Sequence, residues 1–341
     1  MKKLIVMVAS LALVASFAMT AAAADWNFYG SARVNTWWTD VETIGSSAAS
    51  VEDFAQALQG NSRIGANVKV SDELSGRFEY GTGVNVRLLY GVWNFGAGSF
   101  LVGQTYTPLN MFYSNQVFGS DTDMLNTGGV YGGRQPVLQL QFGSFKIAAV
   151  AVEEDDSLVG GTVEATIPAI EASYSLSLDP VSLLIAGGYQ TYETNVAGLT
   201  YDVDAWVLAF GASANFGAFY LKGDIYFGQN PDNLIWSDTG ASQSDEPTVA
   251  GGVVNDVDAF GYLLVVGGKI NDMFAVEAGY GTATTELDNT NTDNDITAYY
   301  VQATITMAPG VFVVPEIGVI DGDESGESET TYFGAKWQIN F

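Results

Sequence analysis

The sequence predicts an all-β protein, a transmembrane antiparallel up-and-down β-barrel of 16 strands. Three observations predict it. Apolar and polar residues alternate with period two through segments such as 61–70 and 333–341, as strands facing two media require. The connectors between these segments alternate between tight turns and long polar stretches, which suits a barrel with one plain and one elaborated rim. After residue 24 no apolar run is long enough to cross a bilayer as a helix, although 48% of the 341 residues are hydrophobic.

The elements follow in order. Met1-Lys2-Lys3 precedes an apolar run broken only by small residues, and Ala21-Ala22-Ala23-Ala24 precedes Asp25. A charged start, an apolar stretch and an Ala-x-Ala site lead us to expect a secretory signal peptide over residues 1–24. The alternative is an uncleaved anchor over residues 4–24, nearly long enough to span. Loss of two Lys and no acid takes the formal charge from −27 to −29 for residues 25–341. An exported chain without a spanning helix is either a soluble periplasmic protein or an outer-membrane barrel.

Period two recurs at 27–37, 84–93, 171–177, 219–227, 274–280 and 299–306. Soluble sandwiches alternate too, so strand length and aromatic placement decide. The alternating segments run to about 10 to 14 residues, against 5 or 6 in soluble sheets. Trp26, Phe28, Trp37, Trp38, Phe95, Tyr192, Phe216, Phe219, Phe274, Trp337 and Phe341 sit at segment ends, where interfacial girdles belong.

Tight turns are expected at Ser71-Asp72-Glu73, Gly96-Ala97-Gly98, Gly143-Ser144, Asp179-Pro180, Gly217, Asn271-Asp272 and Pro309-Gly310, where Gly, Pro, Asn and Asp supply reversal geometry. Polar loops are expected near 39–60, 81–83, 109–135, 153–161, 194–202, 229–256, 286–295 and 321–329. Seven turns and eight loops imply sixteen strands. The even number returns both ends of the barrel, residues 25–341, to the periplasmic side. In lipid every backbone polar group must be paired, and a closed sheet achieves that without helices.

The absences exclude several functions. With no Cys and no His, there is no disulfide, thiolate metal site, Cys nucleophile or His-based mechanism. Barrel lipases and proteases rest on a Ser or Asp with His, so the chain is not expected to be an enzyme. No cofactor or metal is expected. Only 12 basic residues against 39 acidic ones argue against a nucleic-acid partner.

The basic residues cluster. Arg33, Arg63, Lys69, Arg77 and Arg87 fall on the first four strands and Lys336 on the last, which pairs with the first in a closed barrel. Six of the ten basic residues after residue 24 therefore share one wall. Parity places them with polar neighbours. A lipid-facing Arg near the midplane costs roughly 2–4 kcal/mol, so the lumen is their expected side. The rival view is that they balance lumen acids such as Glu79.

Several local sequences together resemble the general porins of Gram-negative outer membranes, a 16-stranded and usually trimeric family. These are Phe28-Tyr29-Gly30, then Ser62-Arg63-Ile64-Gly65 followed by Asp72-Glu73-Leu74, then Gly103-Gln104-Thr105-Tyr106-Thr107-Pro108 before a long third loop, and a terminal Phe341. The first 145 residues and the last dozen carry most of the resemblance. It implies passive diffusion of small hydrophilic solutes through a water-filled pore, and a third loop, about 109–135, folded inward as a constriction.

The resemblance also implies that Asp121 and Asp123, the acids of that loop, face the basic wall. Arg63, Arg87 and Arg134 match the family's wall arginines. Strict parity with Leu138 would turn Arg134 outward unless Gly132-Gly133 or Pro136 breaks the register. Phe341 resembles the signal read by the barrel-assembly machinery. The expected partners are outer-membrane lipid, that machinery during biogenesis, and two further copies in a homotrimer. The second loop, Gly81-Thr82-Gly83, is much shorter than the family's subunit latch.

Charge also suggests a selectivity. Glu171, Asp224, Glu277 and Glu316 share the lumen parity against Lys222 and Lys269, and the stretches 153–156 and 321–324 are acidic. An acidic vestibule concentrates cations, so cation selectivity is expected. The acidic loops could ligate a divalent cation, but simple solvation is the expected state. The alternatives are a substrate-specific channel with an aromatic track (Trp37, Trp93, Tyr106 and Trp206 are the candidates) and a non-conducting structural barrel.

Overall fold

The computed structural model describes residues 24–151, 162–165, 167–236, 247–288, 293–322 and 326–341. The expected signal segment up to residue 23, the acidic stretch 153–156 and residues 323–324 of the stretch 321–324 lie outside the described residues.

Sixteen strands cross the wall. They are β1 (Asp25–Thr43), β2 in two segments (Val51–Leu58 and Arg63–Lys69), β3 (Leu74–Tyr80), β4 (Val86–Asn94), β5 (Ser99–Tyr106), β6 (Arg134–Phe142), β7 (Phe145–Val150) and β8 in two segments (Thr162–Glu164 and Ala169–Leu178). Then come β9 (Val181–Val196), β10 (Leu199–Phe216), β11 (Phe219–Gln229), β12 (Val257–Lys269), β13 (Phe274–Leu287), β14 (Asp293–Ala308), β15 (Val311–Asp321) and β16 (Ser328–Asn340). Each pairs antiparallel with the next. β16 pairs with β1 from Ser31↔Asn340 to Thr43↔Ser328, which closes the sheet and leaves it no free side edge in lipid.

All seven expected turns fall between strands. At the β10–β11 hairpin Phe216 pairs with Phe219, and Gly217 takes φ +66, a left-handed angle that glycine adopts without a Cβ clash. The loops differ in extent. The stretch 39–60 is mostly strand, and β9 and β10 run on until only Ala197 and Gly198 connect them. Polarity at 194–202 marks strands standing beyond the lipid, where both faces meet water, rather than a loop. Strand length is also broader than expected, from six residues in β7 to 19 in β1. Strands β3–β5 are short, seven to nine residues, whereas β9 and β10 run to 16 and 18.

The two faces separate by parity. Along β10, Trp206, Leu208 and Phe210 are exposed while Val203, Ala205, Val207 and Ala209 are buried. Trp26, Phe28, Phe95, Phe216, Phe219, Phe274 and Phe341 are exposed near the turn rim, as a girdle requires. Trp37 and Tyr192 do not join it. Both are buried, because each shares the parity of its strand's inward-facing residues, Trp37 with Ser31 and Arg33 and Tyr192 with Gln190 and Thr194.

The inner face is not uniformly polar. Ala186, Ala205, Val207, Ala209 and Ala259 from β9, β10 and β12 pack with Leu109, Met111 and Val130 of the third long connector, between β5 and β6, and with Leu234 and Ile235 of the sixth, between β11 and β12. Small residues on the wall leave room for long ones from the connectors, so part of the interior is an apolar core.

Candidate functional site

The third connector joins β5 to β6 and spans 107–133, two residues shorter at its end than expected, because Arg134 and Gln135 already pair with Tyr106 and Thr105. Its irregular backbone needs hydrogen-bond acceptors, and three inner-face carboxylates supply them. Leu109 N–H donates to Glu171 at 2.9 Å. Asn115 donates to Glu277 through its backbone N–H at 2.8 Å and its side-chain amide at 2.6 Å. Val117 and Phe118 donate their N–H groups to the two oxygens of Glu316 at 2.8 and 3.0 Å.

Apolar contacts complete the seat. Phe118 stacks on Tyr332 with ring centroids 3.8 Å apart, and both pack on Trp37. The connector's far end lies backbone-to-backbone on the wall. Gly128 (φ +81) sits against Tyr262 O, and a Cβ on Gly281 would strike Thr127 O. Those glycines let two backbones touch.

The seat fixes the tip. Ser120, Asp121, Asp123 and Met124 all have positive φ, between 53° and 71°, an arrangement that non-glycine residues adopt only where surrounding contacts impose it. Asp121 Oδ1 accepts from Lys336 Nζ at 2.8 Å and Gln59 Nε2 at 2.9 Å. Its Oδ2 accepts from Arg33 Nη1 and from Asn61 Nδ2 at 3.3 Å. Burial would raise this carboxyl, but the charges of Lys336 and Arg33 hold it below the usual carboxylate value. Asp123 forms no ion pair among the described residues. Burial, and then the negative charge of Asp121, push its carboxyl well above the usual value.

A second hub lies beside it. Buried Glu79 accepts from Arg87 Nε at 2.8 Å, Arg77 Nη2 at 3.1 Å, Tyr29 OH at 2.8 Å and Arg63 Nη1 at 3.5 Å. One carboxylate thus serves three guanidiniums, so Glu79 balances the wall only in part.

These groups surround a cavity of about 710 Å³. Arg33, Arg63, Arg87, Arg134, Lys336, Asp121 and Asp123 all line it; Arg77 does not, being turned toward Glu79 and the Tyr29 ring. Lys69 and Lys269 are also away from it, paired at 2.7 Å with Asp72 and Asp272 on the turn rim. Arg134 enters the cavity against strict parity. Gly133 (φ +77) precedes it, and its guanidinium lies 5.4 Å over the Tyr106 ring.

Sequence reasoning missed Gln59 and Asn61, placed by the break in β2, and Trp236, which reaches the cavity from the sixth connector. Gly60-Asn61-Ser62 at the strand break was the available signal for the first two. The proposed aromatic track is absent as drawn. Trp93 and Trp206 point outward, Trp37 lies under the connector, and Tyr106 alone lines the cavity.

Phe341 closes the seam of the barrel. Gly30 N–H donates to Phe341 O at 2.6 Å and Phe341 N–H donates to Gly30 O at 3.0 Å, with the Phe341 side chain exposed.

A closed 16-stranded sheet, apolar outside and charged around an interior cavity, defines an outer-membrane channel. A family model described as Gram-negative porin matches residues 8–325, and the chain belongs to that family. Solved structures with the same fold include the outer membrane channel DcaP of Acinetobacter baumannii, at 16% identity and TM-score 0.75 over 93% of this chain and 97% of that one. The anion-selective porin from Comamonas acidovorans matches at 15% identity and TM-score 0.61, over 93% and 100%. OmpT of Vibrio cholerae in its trimer form matches at 17% and 0.60, over 93% and 99%. At these identities the likeness establishes the fold alone. No curated protein matches the sequence significantly.

Proposed function

We propose that the protein is a passive diffusion channel for small hydrophilic solutes, narrowed by the third connector at the charged cavity, and that this zone prefers anions. The connector's contacts with β1, β2, β8, β10 and β12–β16 support its place in the lumen. The observation that carries the selectivity is the cavity lining, five basic side chains against Asp121 and Asp123. In a narrow zone with low-dielectric walls, the charges nearest the ion dominate the field.

The cation preference expected from composition counted Glu171, Asp224, Glu277 and Glu316 as lumen acids, together with the acidic loops. Glu171, Glu277 and Glu316 are bonded beneath the connector instead, and Asp224 is buried on β11 and does not line the cavity. The relative described as anion-selective accords with the revised sign. The reversal potential of the purified protein in a KCl gradient across a planar bilayer tests it. A chloride-side value is expected, and a potassium-side value would overturn the reading.

The homotrimer belongs to the same proposal. A trimer form of a structural relative and the short strands β3–β5, a surface suited to face other subunits, support it. Conductance should then rise in groups of three steps. In this reading Phe341 serves as the assembly signal, which its exposed ring supports. Residues 1–24 serve as the export signal in this reading.

A further inference from the structure

The cavity has two unlike sides, and their chemistry narrows the kind of anion it takes. Among the five basic residues, Arg33 and Lys336 are paired with Asp121, and Arg63 and Arg87 with Glu79. Arg134 pairs with no carboxylate among the described residues. Its guanidinium donates to Tyr106 OH at 3.2 Å and stacks on that ring, which leaves much of its donor fork available.

Around it stands a patch of rings. Tyr106 contacts Phe112 with centroids 5.1 Å apart, Phe112 contacts Tyr131 at 6.1 Å, and Tyr131 contacts Trp236 at 6.2 Å, each edge to face. Phe112 and Trp236 are 48% and 46% exposed. The patch is built from two connectors: Trp236 N–H donates to Tyr131 O at 2.8 Å, which ties the sixth to the third. Two large apolar surfaces are thus held open to a charged, wet cavity beside an unpaired guanidinium.

We propose that this corner is a binding subsite for small organic carboxylates that carry a planar apolar ring. The guanidinium fork takes the carboxylate in two parallel hydrogen bonds. The ring of the solute lies against Phe112 and Trp236, removing their apolar surface from water. A free phosphate would suit the fork but leave the rings wet, and a short aliphatic carboxylate would cover little of them. The inference rests on the reading of this cavity as an anion-preferring conduction path.

The test is chloride conductance in planar bilayers with added potassium benzoate, potassium acetate or inorganic phosphate. Benzoate should reduce the current saturably, with acetate and phosphate at equal concentration far weaker. The double substitution Phe112→Ala with Trp236→Ala should weaken the benzoate block about tenfold, the scale of lost ring contacts. It removes no charge, so the KCl reversal potential should keep its chloride-side sign, which also shows that the variant is folded and conducting. Arg134→Gln should weaken the block as well.

Benzoate no stronger than acetate, or a block unaffected by the double substitution, would overturn the subsite while a chloride-side reversal potential left the channel reading standing. A potassium-side reversal potential would overturn both.

Discussion

The two halves of the inner wall treat their charges in opposite ways. On β8, β13 and β15, buried Glu171, Glu277 and Glu316 accept N–H groups from the third connector. On β1, β2, β4, β6 and β16, basic side chains stay around an open cavity. The chemistry of the connector explains the difference. Its unpaired backbone N–H groups need acceptors, which a carboxylate provides twice over and a guanidinium or ammonium cannot provide at all. Acids facing the irregular connector are therefore used in holding it, whereas basic residues must find the few remaining acids or water. A strongly acidic chain thus acquires a basic cavity.

The largest test of that comparison removes the anchors. Glu277→Ala with Glu316→Ala leaves the N–H groups of Asn115, Val117 and Phe118 without their partners. Each orphaned donor costs about 1–3 kcal/mol. The urea midpoint in detergent should fall accordingly, and open-channel noise should rise as the connector loosens. An unchanged midpoint together with a quiet channel would show that the connector is held by its apolar contacts alone.

A smaller test uses protons. A carboxyl whose folded pKa is raised, as at Asp123, destabilises the fold while ionised and is relieved as pH falls through that raised value. Asp121 has the opposite sign. Its depressed pKa gives stability that is present above the ordinary carboxylate value and lost only as pH falls through its own lower one. As pH falls from the alkaline side toward about 4, Asp123 should neutralise while Asp121 stays ionised. The cavity then loses one negative charge of two, and the KCl reversal potential should move further to the chloride side. Asp123→Asn should remove that pH shift. A variant that retained it in full would move its origin away from Asp123.

The strand count and the basic wall could be read from the chain because they depend on local signals. Gly96, Gly217, Pro309 and their neighbours mark reversals whatever surrounds them, and parity places Arg33, Arg63 and Arg87 on the inner face. What parity leaves open is which inner-face residues a connector will cover. Nothing periodic in 107–133 foretells that Glu277 lies beneath it and Glu79 does not. Trp236 belongs to the cavity only because Tyr131, a hundred residues earlier in the chain, accepts its N–H. Residues 194–202 read as a loop because strands that leave the lipid lose the apolar alternation that identifies strands.

The smallest expected effect separates the pore's field from charge in general. Lys69 and Asp72 meet at 2.7 Å on the turn rim, and Lys336 and Asp121 meet at 2.8 Å in the cavity. The lengths are nearly equal and the media are not: the Asp72 side chain is 94% exposed and that of Asp121 is 6% exposed. Water and salt screen the first pair, while low-dielectric walls focus the second. Asp72→Asn should therefore leave both the unfolding midpoint and the reversal potential unmoved. Asp121→Asn, the same change of one oxygen for an amide, should lower the midpoint and shift the potential to the chloride side. Equal shifts in the two variants would mean that rim charges govern selectivity as strongly as the cavity does, and the contrast between the two halves of the wall would lose its functional meaning.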